Sequence, residues 1–405
     1  MRTILIVSTG FLWPLHGERE RSLYQLVKGL HGSGVQVTVL GMHSPRSPVN
    51  LRSLPSPMPE WADYRLVEVN THVGTGDLLA GFVFSEDTVH IRRFQSRRFE
   101  DELDLLLEKE PFEVVQLESA WLLHCVPMIR RHLPKAVIAL RPHRIEWEFW
   151  EQRANLERNP LREYFCRENA FRIRPKEEFA MAAGAYDVCV PMSGRDEGKL
   201  KELGLKKPSF VLPVGADASA SGGEAVFPSV YLRGPFGPVP VRRGAEWFLR
   251  EVWPQVHRAH PKVRCSLIGA QLPPEFRAFG RGQVTVSDDE EEAEAAIGES
   301  SILAAPVLGG GPLRYALAEG MIRGKAVVAT PQAAEGIGLK HGDQVLIASD
   351  AGAFASHLHA LIEHRSLADT LGAHAAAFAR SRLENRALAG KLAAFYDQQI
   401  AAKTK

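Results

Sequence analysis

The sequence predicts an α/β protein built as two units, each a parallel sheet with helices on both faces. Three observations carry this. The chain has 405 residues, more than one core usually organises. Short apolar strands alternate with amphipathic helices through both halves, the pattern of parallel pairing with both faces covered. The composition shifts at "ADASASGGEAVFPS" (216–229) to small and turn-forming residues, which places a linker there. The expected units are 1–217 and 218–381. A final helix, about 382–405, follows them; packing back on the first unit is one option for it.

"TILIVS" (3–8) is the first strand, and 18–31 is a helix with Leu23, Leu26, Val27 and Leu30 at helical spacing. "HGSG" ends that helix, and "VQVTVLG" (35–41) is the next strand. Residues 43–85 are rich in Pro, Ser and Gly and read as loop with one strand near "YRLVEV". "DELDLLLEK" is helical, "FEVVQLE" (112–118) and "AVIALRPH" (136–143) are strands, and 161–185 is a charged helix. "YDVCVPMS" and "SFVLPVGAD" are expected as two further strands. After the linker come "VYLRG", a helix over 243–259, "VRCSLIG", "QVTVSD", an acidic helix near 289–297, "SILAAP", a helix from Pro312, "AVVAT" and "QVLIAS". The last helix, 380–402, carries Leu383, Leu388, Leu392 and Phe395.

Composition excludes several classes. Hydrophobic residues make up 45% and charged residues 24%, as in a globular protein. The formal net charge is +1, so a general nucleic-acid binder is not expected. The four cysteines (Cys125, Cys166, Cys189, Cys265) form no C-x-x-C pair and read as reduced thiols of a cytoplasmic protein. No segment approaches the roughly 18 apolar residues of a spanning helix. The basic stretch "HIRRFQSRRFE" (90–100) reads first as a solvated helix and second as a surface for anionic lipid or a lipid-linked acceptor, so peripheral contact with the inner face of a membrane stays open.

One stretch raises a chemical question: "GGGPLRYALAEGMIRGKAVVAT" (309–330). Three glycines follow a strand, and Pro312 suits the first helical position. A strand, a glycine loop and a helix N-terminus build an anion site from backbone N–H groups. Arg314 adds charge in the first turn. Glu319, deeper in the helix, can accept from ribose hydroxyls. Tight packing alone is the competing explanation for the glycines. The stretch is neither a Walker loop nor G-x-G-x-x-G.

Taken with its surroundings, the stretch resembles the family-4-type retaining glycosyltransferases of GT-B architecture. Five segments agree in order along nearly the whole chain: "PLHGERERSLYQLVKGLHGSGVQVTVLG", "RPHRIEWEFWEQRA", "VPMSGRDEGKLKELGL" with "FVLPVGAD", "GAEWFLREVWPQVHRAHPKVRCSLIGA" and "GGGPLRYALAEGMIRGKAVVATPQAAEGI". The resemblance implies two Rossmann-like domains facing across a cleft. It implies a nucleotide-diphosphate sugar, UDP- or GDP-linked, held by the C-terminal domain through Gly310, Gly311, Leu313, Arg314, Arg233, Arg243 and Glu319. Gly17 and His143 would face the donor or the acceptor from the N-terminal domain. His143, Arg243 and Arg314 are the candidate catalytic residues. No metal site is implied, and the acidic run near Asp288 and Asp289 reads as a solvated helix start.

The chain departs from the family at four places. The first of two glutamates is Gly311, an asparagine is Arg144, another is Val214, and Gly and Arg near Arg233 are in swapped order. Three readings follow. The first is a retaining glycosyltransferase, acting on a glycan, lipid-linked or small-molecule acceptor in polysaccharide biosynthesis. The second is a GT-B protein that binds a nucleotide or a partner enzyme without transfer. The third, less favoured, is a sugar-nucleotide epimerase.

Overall fold

The computed structural model describes residues 2–71, 89–218, 225–279, 284–309 and 314–404, with backbone alone for 89, 90, 290, 291, 314 and 404. The expected glycine-loop residues Gly310, Gly311, Pro312 and Leu313 lie outside these, as do parts of the 43–85 loop and the 216–229 linker.

Two parallel sheets organise the chain. The first contains β1 (Thr3–Ser8), β2 (Gln36–His43), β3 (Asp63–Glu68), β4 (Val114–Leu117), β5 (Val137–Leu140) and β6 (Val188–Cys189), in the order β3-β2-β1-β4-β5-β6. The second contains β7 (Ser229–Arg233), β8 (Arg264–Ile268), β9 (Val284–Ser287), β10 (Ile302–Ala305), β11 (Ala326–Ala329) and β12 (Leu346–Ile347), in the order β12-β11-β10-β7-β8-β9. Each has the Rossmann order, reversing direction beside its first strand. Ile4, Leu5, Ile6 and Val7 are all fully buried, because β1 is covered on both faces. The two switch points, between β1 and β4 and between β7 and β10, set where a crevice forms beyond the strand C-termini.

The helices that shape this crevice are α1 (Glu18–Gly32), α2 (Glu146–Leu156), α3 (Pro160–Ala183), α4 (Gly194–Glu202), α5 (Val239–Trp247), α6 (Arg314–Ile322), α7 (Pro331–Ala334) and α8 (Asn385–Thr404). Asn159 caps α3 by accepting from the N–H groups of Leu161 and Arg162. Glu177 of α3 in turn accepts from the N–H groups of Glu146 and Trp147, at 2.9 and 2.8 Å, and so fixes the start of α2.

Three elements differ from expectation. The helix expected over 243–259 begins at Val239, beside Pro238 and Pro240, and widens into a π turn over Phe248–Val252 ahead of Pro254. "SFVLPVGAD" is not a strand. Pro208 and Pro213 cannot donate, and beside β6 the pairing shortens to a bridge between Cys189 and Ser209, with Phe210 and Leu212 donating to the carbonyls of Cys189 and Pro191. The helix expected over 380–402 starts later, as α8 from Asn385, and residues 380–382 close a separate helix, Arg365–Arg382. Between them the chain crosses back to the first domain: Ala216 donates to the carbonyl of Leu383, and Asn385 donates to that of Ala216. Backbone groups used there cannot continue a helix.

α8 lies on α1, where Ala389 meets Gly29 and the Arg2 guanidinium forks onto Asp397. All four cysteines are buried free thiols. Among the described residues no helix is long and apolar enough to cross a membrane, and no group of three His, Cys, Asp or Glu is placed to hold a metal ion.

Candidate active site

A cavity of about 320 Å³ lies where the two switch points face each other. Its N-terminal wall comes from residues just beyond strands: Thr9 after β1, Glu118 and Ser119 after β4, His143 and Arg144 after β5, and Met192 after β6. Its C-terminal wall is Pro235 and Pro238, between β7 and α5, and Val241 in the first turn of α5, with Glu335 after α7. The location is the one that the doubly wound topology favours for ligands.

His143 is the best-supported residue in this wall. Its Nε2 donates to Glu118 Oε2 at 2.7 Å, and the Arg141 guanidinium donates to the same oxygen at 2.8 Å. Arg141 also donates to Ser22 Oγ at 2.7 Å, and Gln116 bonds the other Glu118 oxygen. Tyr396 of α8 closes the chain by donating to Gln116. Burial would raise the Glu118 carboxyl, but Arg141 and His143 outweigh it and hold the pKa at about 2. Burial pulls His143 below its ordinary 6.5 more strongly than Glu118 raises it. The ring is therefore neutral near pH 7, with Nε2 as donor and Nδ1 as acceptor.

The C-terminal side is tightly pinned. Thr330 exchanges two hydrogen bonds with Val307: the Val307 N–H donates to Oγ1 at 2.9 Å, and the hydroxyl returns one to the Val307 carbonyl at 2.7 Å. Gly244 lets α5 lie directly on the end of β10, since a Cβ there would sit 1.9 Å from the Pro306 carbonyl oxygen. Gly309 has φ +78 and faces Leu156 of α2 from across the cleft.

Glu319 is 2% exposed. Arg233 Nε donates to its Oε2 at 3.2 Å, the Tyr315 hydroxyl donates to Oε1 at 3.2 Å, and Arg323 stands 3.6 Å from that oxygen. Carboxylate and guanidinium groups this deep are stable only as partners.

Several contacts cross between the domains. Glu18, in the first turn of α1, accepts the backbone N–H of Tyr315, the second residue of α6, at 3.0 Å. The Arg21 guanidinium lies 5.0 Å from the centre of the Tyr315 ring. Arg195 of α4 forks onto Glu148 of α2 and donates through Nε to Glu335 at 3.2 Å.

The structure brings some of the sequence-derived candidates together and separates others. His143 lines the cavity. Gly17 is the N-cap of α1, beside the cavity-lining Glu18 and Arg19, and the Glu20 carboxylate lies 2.5 Å from where its Cβ would be. Arg233 and Glu319 form one buried cluster. Arg243 is half-buried and pairs with Glu246 at 3.4 Å, one turn along its own helix. Gly310, Gly311 and Leu313 lie outside the described residues, and Arg314 is described only as the backbone start of α6. Sequence reasoning missed Glu118, Arg141 and Glu18. An acid directly after the apolar β4 was the available signal for the first.

The basic stretch 90–100 is divided by the fold. Ile91, Phe94 and Phe99 are buried in the N-terminal core, Arg92, Arg97 and Arg98 are exposed, and Arg93 lines the cavity. Its apolar residues are thus engaged inside the domain.

Comparison with known proteins agrees with this architecture. Residues 233–364 match the family "Glycosyl transferases group 1", a span that begins at Arg233 and includes Arg243 and Glu319. An uncharacterized 44.6 kDa protein in the cps region of Klebsiella pneumoniae is 26% identical over 125 residues. That match covers 29% of this chain and 32%, about a third, of the relative. Sucrose-phosphate synthase from Thermosynechococcus elongatus superposes with a TM-score of 0.69 at 15% identity, over 99% of this chain and 100% of that one. HepE from Anabaena, in complex with UDP and glucose, gives 0.67 at 12% identity over 98% and 100%. TarM gives 0.66 at 9% identity over 98% and 99%. The resemblance drawn from the five sequence segments is borne out: the chain has the GT-B fold of these glycosyltransferases, and its residues 233–364 match the group 1 glycosyl transferase family.

Proposed function

We propose that the protein is a retaining glycosyltransferase that takes a sugar from a nucleotide-diphosphate donor, UDP- or GDP-linked. The observation that carries this reading is the cavity at the facing switch points, bounded on its C-terminal side by the segment that matches the transferase family. HepE, with the same fold, is described with UDP and glucose bound. The donor diphosphate would lie against the start of α6 and Arg314, with Arg243 adding charge and Glu319 reaching the ribose once Tyr315 and Arg233 yield it. Gly17 and Leu313 would border the donor. Neutral His143, fixed by Glu118, would accept a hydrogen bond from a sugar hydroxyl. The acceptor would enter along the N-terminal wall as a glycan, a lipid-linked sugar or a small molecule, in polysaccharide biosynthesis. Transfer would rest on electrostatic stabilisation of the departing diphosphate and exclusion of water.

A second reading is favoured by one specific feature. Glu18 already accepts an α6 N–H, and Glu319 is already satisfied by two arginines and a tyrosine. With Gly311 at the place of the first family glutamate, these contacts suit a GT-B protein that does not transfer sugar. Incubation with a panel of UDP-, GDP- and ADP-sugars separates the two. Release of free nucleoside diphosphate, with the anomeric configuration kept in the product by NMR, supports retaining transfer. Nucleotide binding with every donor left intact supports the second reading.

A further inference from the structure

We propose that the N-terminal wall of the cleft binds an anionic group of the acceptor, a sugar carboxylate or phosphate ester, with Arg93 as its principal contact. The proposal rests on the reading of this cleft as a transferase site and specifies its acceptor class.

Four guanidinium groups from the N-terminal side line the cavity: Arg19, Arg93, Arg144 and Arg195. Three of them are committed, Arg195 to Glu148 and Glu335. Arg19 donates to Thr9 Oγ1 at 3.3 Å and pairs with Glu20 at 3.1 Å. Arg144 pairs with Glu146 at 3.1 Å and covers the Phe149 ring at 3.6 Å. Arg93 differs. Among the described residues it makes no hydrogen bond or ion pair, and its buried Nε has no acceptor. Its guanidinium stacks 4.5 Å from the centre of the Phe94 ring, which orients its plane.

Arg93 is held among like charges. Burial, together with Arg19 and Arg144, pushes its pKa down to about 10, against the pull of Glu146. It remains charged at neutral pH. A desolvated cation with no hydrogen-bonded counter-charge is costly, and an arriving anion removes that cost. The acids of the same cavity are already engaged. Glu118 is held by Arg141 and His143, and Glu148 and Glu335 by Arg195, which also stands 3.8 Å from Asp196. Glu146 is held by Arg144, Glu18 by the Tyr315 N–H, and Glu177 by two backbone N–H groups. A planar guanidinium fork matches a carboxylate or a phosphate and gains little from a neutral hydroxyl. The cations all stand on the N-terminal wall; the facing wall carries the uncharged Pro235, Pro238 and Val241 and the Arg195-paired Glu335.

The test is calorimetric binding to the full chain, without nucleotide, of methyl glucuronide, glucose 6-phosphate and neutral methyl glucoside. At least one of the anionic sugars should bind tenfold or more tightly than methyl glucoside. A preference confined to the glucuronide identifies a carboxylate, and one confined to the 6-phosphate identifies a phosphate ester. Arg93→Gln should erase the preference and Arg93→Lys should keep part of it, with UDP affinity changed less than twofold and the melting temperature of neither variant lowered. Equal or absent binding of all three sugars overturns the proposal, as does an undiminished preference in Arg93→Gln. So does a loss of UDP affinity as large as the loss for the anionic sugars, which would place the arginine on the donor. Since no donor takes part, failure of the donor-panel assay and failure of this test are separate results.

Discussion

Glu18 and Tyr315 meet across the cleft: a carboxylate from the first turn of α1 accepts the backbone N–H of the second residue of α6 at 3.0 Å. A helix N-terminus attracts anions, and here the protein supplies one of its own. A nucleoside diphosphate arriving at α6 has to displace it. Glu18→Ala is therefore expected to raise UDP affinity on the order of fivefold, the worth of one charge near a helix terminus. Titration calorimetry on both proteins checks this. A weaker complex in the variant would mean that Glu18 assists binding.

Glu118 anchors two cationic or polar partners from a fully buried position. Its loss leaves the Arg141 guanidinium inside the protein without a counter-charge. Glu118→Ala should destabilise by about 3–5 kcal/mol, measured by urea unfolding. The milder Glu118→Gln should fold and show its effect on His143. Without the carboxylate the ring loses its fixed donor at Nε2, so sugar binding should weaken while UDP binding holds.

The carboxyl of Glu177 sets a pH dependence. Burial pushes its pKa up to about 8, overcoming the backbone N–H groups of Trp147 and Glu146, which pull it down. A raised folded-state pKa means that the native protein binds the proton more tightly than the unfolded chain. The contribution to stability is full below the ordinary value of 4.5 and is lost as pH rises through about 8. Melting temperature should carry this decline between those values. Glu177→Gln, which keeps an acceptor and cannot ionise, should flatten it.

Arg195 ties α4 to α2 through Glu148 and to the second domain through Glu335. The Glu335 carboxylate is 42% exposed, so this arm contributes little to stability, about 0–1 kcal/mol. Its effect should be on shape. Glu335→Ala is expected to leave unfolding unchanged and to increase the radius of gyration by small-angle scattering, as the domains separate more freely. An unchanged radius would assign the interdomain geometry to the remaining contacts.

Much of the fold was legible because its signals are local. Apolar runs such as "TILIVS" and "AVVAT" can be satisfied only by burial on both faces, which calls for parallel sheets with helical layers. The helix of 161–185 appears as Pro160–Ala183, within two residues at either end. "SFVLPVGAD" misled because its apolar content resembles a strand, while Pro213 within it and Pro208 before it lack the donors that a ladder needs.

The site was legible only in part. His143 could be placed at a strand end from sequence, and it lines the cavity. Its partnership with Glu118, 25 residues away, could not, nor could that of Glu18 with Tyr315, 297 residues away. The chain by itself determined the strand-helix alternation, the two units and the residue types available to the cleft, since these follow from periodicity and composition. Tertiary structure alone decided which charges meet: Glu319 turned inward onto Arg233, Glu18 on a distant helix end, Arg93 among other arginines. The physical reason is that burial and Coulomb energy depend on distance in space, and residues far apart in sequence acquire that distance only when the two sheets face each other.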